Sequence, residues 1–434
     1  MVTVTVKNTK VLNGEVCAPP SKSYTQRMLV ASSLSNGSSI VRCPLVSDDT
    51  AATLRAIRAL GAEVDIAKGC WKVEGANPIK GAKEQIDCGD SGATLRFMIP
   101  VAALATEPSA FLVGGSLKDR PVEPLLQSLR QLGAETSTEK VGDKRGIKVQ
   151  GGGLIGGKTS IRGDVSSQFI SGLMFACPLA HNDTEIILTT PLESKGYVKM
   201  TREILSKHGV EVCFSRNFRR ICIPSNQTYK VSDHWVPGDF SSAAFLFGAA
   251  AITCSDVTIT NLDFSLFQGD EAIIEVLKRM GVRRKLYRNQ IEIKGTGNLL
   301  GAIEVNAKDT PDLVPIFAAL ACYAKGTSRI KNAGRLRLKE SDRLSSLQTE
   351  LSKMGADISA SEDNLTVNGP SRLHGADIDP HKDHRIAMAC AVAALGAEGE
   401  TRIHDAECVK KSYPRFFNDL DKLGVNVVGG KFNR

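Results

Sequence analysis

LRAIRALGAEV, residues 54–64, carries helically spaced apolar residues to a glycine and then passes directly into a β-prone segment. A glycine suits the position just past the last turn of a helix, where the backbone turns left-handed. The phrase recurs as LLQSLRQLGAET, REILSKHGVEV, IEVLKRMGVRR, LQTELSKMGADI and FNDLDKLGVNV. Its six glycines, Gly61, Gly133, Gly209, Gly281, Gly355 and Gly424, follow one another at intervals of 69 to 76 residues. Chance pairing of leucine with glycine does not produce such even spacing, so the chain reads as an α/β unit repeated six times.

A second element alternates with the first. RMLVASSL, LRFMIPVAALA, FISGLMFACPLA, AAFLFGAAAI, LVPIFAALACYA and RIAMACAVAAL are apolar on nearly every helical face, which predicts burial on all sides. Each unit then has one buried helix, one amphipathic helix and strands between them. A chain of 434 residues is too long for one ordinary core. Six units therefore predict two domains of three units each, with the seam near SDHWVPGDF (232–240), apolar helices at each centre and sheets facing solvent.

Composition excludes several classes. The net charge of +8 suits anionic partners, but aromatics make up only 5% of the chain, too few for the stacking platforms of single-stranded nucleic-acid binders. Eleven cysteines, an odd number with no C-x-x-C pair, argue for reduced thiols, a cytoplasmic location and no structural zinc. The longest apolar runs fall short of a membrane span, and MVTVTVKNTK reads as a strand rather than a signal peptide.

The residues just ahead of the buried helices share a pattern: SKS-x-x-x-R, GDSGATLR, GDVSSQ, GDFSS, DTPD and HKDHR. Ser, Asp and Thr cap helix starts, Ser23 with Gln26 fits a capping box, and Pro311 fits a first helical turn. Capping alone does not require Lys22, Arg27, Arg96, Gln168 or Arg385. Helix starts favour anions, so several starts plus these cations would hold a ligand with several phosphate or carboxylate groups. RLRLKESDR (335–343) sets Lys339 and Arg343 at i, i+4 around Glu340, which by itself reads as a solvated, self-paired helix start. GGSLKDRP (114–121) presents Arg120 after a glycine-rich turn, and VKKSYP (409–414) offers Lys410 and Lys411 before a proline.

Together, PSKS…R, GDSGATLRF, DRP, SSQF, SKGY, TPD, LKESDR, DHRIAMA and KKSYP resemble the 5-enolpyruvylshikimate-3-phosphate synthase family, in the family's order and over nearly the whole chain. The resemblance implies a two-domain enolpyruvyl transferase fold of six βαβαββ repeats, three per domain, with buried helices and outer sheets. It implies domains at 20–235 and at 1–19 plus 236–434, with the active site in the cleft between them. The implied reaction moves the enolpyruvyl group of phosphoenolpyruvate to the 5-hydroxyl of shikimate 3-phosphate and releases phosphate. Carried over residue by residue, shikimate 3-phosphate would be bound by Lys22, Ser23, Arg27, Ser166, Ser167, Gln168, Ser194, Tyr197, Asp312 and Lys339. Phosphoenolpyruvate would meet Lys22, Gly92, Arg120, Gln168, Arg343, Arg385 and Lys411. Asp312 would be the base on the 5-hydroxyl, Glu340 the acid/base partner, and Lys22 would lie near the transferred group.

The chemistry asks for these residue types. Two anions must be brought together, and like charges about 4 Å apart repel by roughly 4 kcal/mol at an effective dielectric near 20. An enol phosphate becomes electrophilic at C2 only as C3 gains a proton, so an acid and a base are both needed. No metal or other cofactor is implied, and the expected form is a monomer acting on small anionic metabolites, with no nucleic acid or membrane partner. Ala93 stands where the family often has Thr, and Arg335 where some members have Asn; neither is counted in the site. A UDP-N-acetylglucosamine enolpyruvyl transferase would carry a cysteine where Gly115 stands, and an RNA-end-processing or RNA-binding protein of similar repeats is the alternative of another class.

Overall fold

The structure, a computed structural model, describes residues 2–297 and 300–429. All six repeat glycines have positive φ, between +73° and +101°. In each repeat the residue after the glycine donates its N–H to a carbonyl five residues back: Ala62 to Ile57, Ala134 to Leu129, Val210 to Leu205, Val282 to Leu277, Ala356 to Leu351 and Val425 to Leu420. That bond marks a Schellman closure, which satisfies carbonyls the helix end would otherwise leave unpaired.

The chain divides into two compact units, Ser21–Val236 and Met1–Pro20 with Pro237–Arg434. Among the described residues the strands form six sheets, five of four strands and one of five. All six follow one plan. In the sheet of Ile86–Asp87, a parallel partner (Ser109–Val113) follows the buried helix Gly92–Ala102, then Lys144–Val149 and Thr136–Val141 add on antiparallel. Parallel pairing needs a crossover, which the buried helix supplies, and the antiparallel pair closes as a hairpin. The expected α/β architecture of βαβαββ repeats is what the chain adopts. Three sheets take a strand from distant sequence: Val4–Lys7 pairs with Glu400–Ile403, Val11–Cys17 with Cys254–Thr260, and His234–Trp235, near the end of the Ser21–Val236 unit, with Ser38–Arg42.

In the Ser21–Val236 unit the buried helices are Lys22–Ser33, Gly92–Ala102 and Ser167–Ala176. The last two touch closely because Gly172 has no side chain; a Cβ there would lie 2.1 Å from the Arg96 carbonyl oxygen. In the other unit, Phe240–Ile252, Val314–Ala321 and His384–Ala394 pack against one another, with Gly248 giving way to Ile316. The core around these three helices is continuous.

Two local expectations differ. The first buried helix is capped by Ser21, whose side chain accepts from the Tyr24 N–H, so Ser23 lies within the first turn and no Ser23–Gln26 capping box forms. Gln26 instead turns toward neighbouring helices, because a buried amide must find partners where no water reaches. Pro311 opens a short 3-10 turn, Pro311–Leu313, and the α-helix begins only at Val314.

Gly172→Ala should force the Gly92 and Ser167 helices apart and destabilise the protein by roughly 1–3 kcal/mol, the usual range for overpacking. Chemical denaturation reads this directly; an unchanged midpoint would show that the two backbones do not approach as described.

Candidate active site

Helix starts in the Ser21–Val236 unit are tied to one another by side chains. The Gln26 amide nitrogen, 1% exposed, shares its two N–H groups among the Asp49 carbonyl and the hydroxyls of Thr53, Ser91 and Thr94, all within 2.9–3.3 Å. Ser91 in turn caps the Gly92 helix. Arg96, one turn into that helix, donates to Gln168 Oε1 at 2.7 Å and to the Pro121 carbonyl at 3.1 Å. The starts of all three buried helices are therefore linked at the same end.

The candidate residues of this unit lie along those links. Lys22 Nζ is 2.8 Å from Asp49 Oδ2. The Arg27 guanidinium is buried against the rings of Phe97 and Tyr197, bonds Thr201 Oγ1 at 2.8 Å and reaches the Ser23 carbonyl at 3.0 Å. Burial lowers its pKa to about 10, with Tyr197 and Tyr24 pulling the other way. Ser166 caps the helix that Ser167 and Gln168 begin, and its hydroxyl accepts the Gln168 N–H at 3.3 Å. Ser194 stands just ahead of the helix Lys195–Lys207 with φ +55°, a left-handed conformation uncommon outside glycine and concentrated at functional sites. Arg120 follows a 3-10 turn, Gly115–Asp119, that Asp90 holds by accepting the Leu117 N–H at 3.3 Å. Its guanidinium lies 3.4 Å from where a Cβ on Gly92 would stand, so the missing side chain leaves the space in front of Arg120 open.

The candidates of the other unit form one ionic cluster. Arg343 is 1% exposed and surrounded by carboxylates: Nε is 2.8 Å from Asp383, Nη1 2.9 Å from Asp312 and Nη2 2.7 Å from Glu340. RLRLKESDR is thus only in part a solvated, self-paired helix start: Arg337 pairs with Asp342 at 2.6 Å, both partly exposed, while Arg343 is drawn inward where three acids meet. Arg385 reaches the Asp312 carboxylate at 3.4 Å and its carbonyl at 3.1 Å, Lys339 is 3.8 Å from Asp312, and Lys411 is 3.9 Å from Glu340. Of the paired lysines in VKKSYP, Lys411 is buried and Lys410 is exposed.

Burial alone would raise the Asp312 carboxyl, but Arg385, Lys339 and Arg343 outweigh it and hold the group well below the ordinary carboxylate range. The Lys339 ammonium is pulled down to about 8, mainly by burial, against the opposing influence of Asp312. The arrangement joins an ionised carboxylate, a second carboxylate and several buried cations, which equips it to hold anions and move protons.

Asp49, Asp90 and Asp383 hold candidate residues in place, yet the sequence reading assigned them no such part. Asp383 was legible only as a helix cap, which it also is, accepting the Arg385 N–H at 3.0 Å. Asp49 follows Ser47 in a run that reads as an ordinary helix start, and nothing local points it toward Lys22. Among the described residues, no group of three or more His, Cys, Asp or Glu side chains could hold a metal ion, and no helix is long and apolar enough to cross a membrane.

A profile of the EPSP synthase (3-phosphoshikimate 1-carboxyvinyltransferase) family matches residues 6–420. A 3-phosphoshikimate 1-carboxyvinyltransferase of Methanocaldococcus jannaschii is 42% identical over 430 residues, covering 98% of this chain and 99% of the relative. One from Clostridium perfringens is 40% identical over 421 residues, covering 96% and 97%. The crystal structure of EPSP synthase from Acinetobacter baumannii superimposes with a TM-score of 0.83 at 26% identity, covering 99% of this chain and 100% of that one. These likenesses favour the shikimate reading over the UDP-N-acetylglucosamine and RNA readings.

Removing the Arg343 guanidinium leaves three buried carboxylates short of their shared partner. Arg343→Met should lower stability by about 3–5 kcal/mol, as breaking a buried ion pair from one side does. Urea denaturation is the measurement; a loss below about 1 kcal/mol would mean the cluster is solvated rather than buried.

Proposed function

This chain belongs to the EPSP synthase family, and we propose that it catalyses that family's reaction through the two charge clusters described above. The enolpyruvyl group of phosphoenolpyruvate passes to the 5-hydroxyl of shikimate 3-phosphate and inorganic phosphate leaves. Lys22, Ser23, Arg27, Ser166, Ser167, Gln168, Ser194 and Tyr197 take shikimate 3-phosphate, with Asp312 and Lys339 completing its site. Lys22, Gly92, Arg120, Gln168, Arg343, Arg385 and Lys411 take phosphoenolpyruvate. The reading requires both clusters to engage the same pair of substrates.

One observation carries the assignment of roles: Asp312 and Glu340 share a single buried guanidinium, Arg343, while further cations hold each of them. Asp312 accepts the proton of the 5-hydroxyl as its oxygen bonds to C2 of phosphoenolpyruvate. Glu340 delivers a proton to C3, and Lys22 lies beside the transferred group. The C2–O bond to phosphate then breaks and C3 returns its proton, which restores the double bond in the product. Without substrate, Asp312 is too weakly basic for its task because Arg385 and Lys339 stabilise its charge. Substrate anions draw those same cations toward themselves, so basicity rises as the site fills. Exclusion of water around the bound pair then protects the intermediate from hydrolysis.

A monomer in the cytoplasm is the simplest setting for this reading; the eleven cysteines, all free thiols, support the reducing compartment. Nothing in the reaction as written calls for a cofactor.

Phosphate release from a mixture of phosphoenolpyruvate and shikimate 3-phosphate tests the activity. Asp312→Ala and Lys22→Ala should each reduce turnover by at least about 100-fold, the lower range for removal of a proton-transfer group. Near-normal turnover in either would remove that residue from the chemistry.

Gly92→Ala places a methyl group at ordinary contact distance from Arg120, so the fold should tolerate it while phosphoenolpyruvate loses room. Its KM should rise by roughly tenfold or more, as expected for about 1.4 kcal/mol of lost binding, with the KM for shikimate 3-phosphate little changed. An equal rise in both would place Gly92 away from phosphoenolpyruvate.

A further inference from the structure

The helix Arg343–Lys353 carries two buried charged side chains, Arg343 and Glu350, about two turns apart and therefore on one face. Arg343 grips Asp383, with Nε 2.8 Å from Oδ2. Glu350 is fully buried and grips the same loop slightly earlier in the chain. Its Oε2 accepts the Asp379 N–H at 3.0 Å, and its Oε1 lies 3.2 Å from His381 Nε2. An ionised carboxyl only accepts, so the His381 ring carries a proton on that nitrogen. The partly exposed Lys353 completes the set, with Nζ 2.9 and 2.7 Å from the two oxygens.

The loop needs such holding. His381 and Lys382 have φ of +52° and +57°, two successive left-handed residues that are not glycine. Backbone of this kind persists where its surroundings over-determine it. Asp379 Oδ1 accepts the His381 N–H at 2.8 Å, and the Pro380 carbonyl accepts the Asp383 N–H at 2.9 Å. The turn thus delivers the chain directly to Asp383, which accepts the Arg385 N–H on one oxygen and Arg343 Nε on the other. A buried carboxylate is a costly way to fill space, because the ion leaves its hydration behind. Here it fixes a strained turn that leads straight into the anion-holding arginines.

We propose that Glu350 is a positioning residue for phosphoenolpyruvate: by fixing the turn at 379–382 it sets where Asp383 stands, and through Asp383 the aim of Arg343 and Arg385. The inference rests on the placement of phosphoenolpyruvate at those two arginines proposed above.

The test measures both KM values, kcat and the urea midpoint of the full-length protein. Glu350→Met keeps the bulk of the side chain and removes both oxygens. Its KM for phosphoenolpyruvate should rise roughly tenfold or more, the order set by losing a hydrogen bond to a charged group, while the KM for shikimate 3-phosphate stays within about twofold. Glu350→Gln still offers a carbonyl to the Asp379 N–H, so it should recover most of that loss. His381→Asn, at the surface, keeps a residue that tolerates the left-handed turn. It should raise the KM for phosphoenolpyruvate about threefold, with little further effect in the Glu350→Met background, since the two act through one contact. A lowered urea midpoint with the KM for phosphoenolpyruvate unchanged in both Glu350→Met and His381→Asn would overturn the inference, as would equal rises in the two KM values. Either result leaves the functional reading standing. Should Glu350→Met fail to fold, His381→Asn decides by the same criterion. Wild type with no phosphate release would overturn both.

Discussion

A helix enclosed on every side has no polar flank, so its unmet hydrogen-bonding groups are confined to its ends. The C-terminal carbonyls can be met by returning backbone, but the first-turn N–H groups need acceptors, and a capping side chain supplies only some of them. Six such helices lie at the centres of the two units, and five of the six starts carry a Ser or Asp cap. What each start does with its remaining positive character governs where anions can be held.

The two units answer differently although the repeat is the same. In Ser21–Val236 the starts are bridged by neutral groups, Gln26, Thr94 and Gln168, and furnished with Lys22, Arg27, Arg96 and Arg120. That composition leaves net positive potential for a ligand to satisfy. In the other unit the chain brings its own carboxylates, Asp239, Asp270, Asp312 and Asp383, to the helix starts and balances them with Arg343, Arg385, Lys339 and Lys411. The first arrangement is suited to anion capture, and the second, with carboxylates set among cations, is suited to proton transfer as well.

By magnitude the ionic cluster is a poor clamp. At an effective dielectric near 20, a contact pair gains about 4 kcal/mol, while each buried ion forfeits several kcal/mol of hydration. The sum is close to balance, so the cluster adds little net stability even though removing one member is costly. A near-balanced network can exchange a carboxylate partner for a substrate phosphate at small net change, and its acids shift in basicity as it does so. Single stabilised pairs on the surface would be screened by solvent and could not be tuned in this way.

Read by itself, the sequence determined the repeat, its α/β character and the buried helices, because these depend on local rules. Helical spacing, all-round apolarity and a glycine that can turn left-handed act within a dozen residues, and Gly61 through Gly424 obey them one by one. Lys22, Arg27, Arg120 and Arg385 were legible too, since cations at capped helix starts or after a glycine turn are out of place in a core. Only the tertiary structure decided which charges meet. Arg343 looked like part of a solvated run until packing enclosed it among Asp312, Glu340 and Asp383. Gln26 looked like half of a capping box until neighbouring helices claimed its amide. Asp49 and Asp270 carried no local mark at all. Ion pairs and buried hydrogen bonds join residues far apart in the chain, and their strength depends on exclusion from water, a property that exists only once the helices have packed.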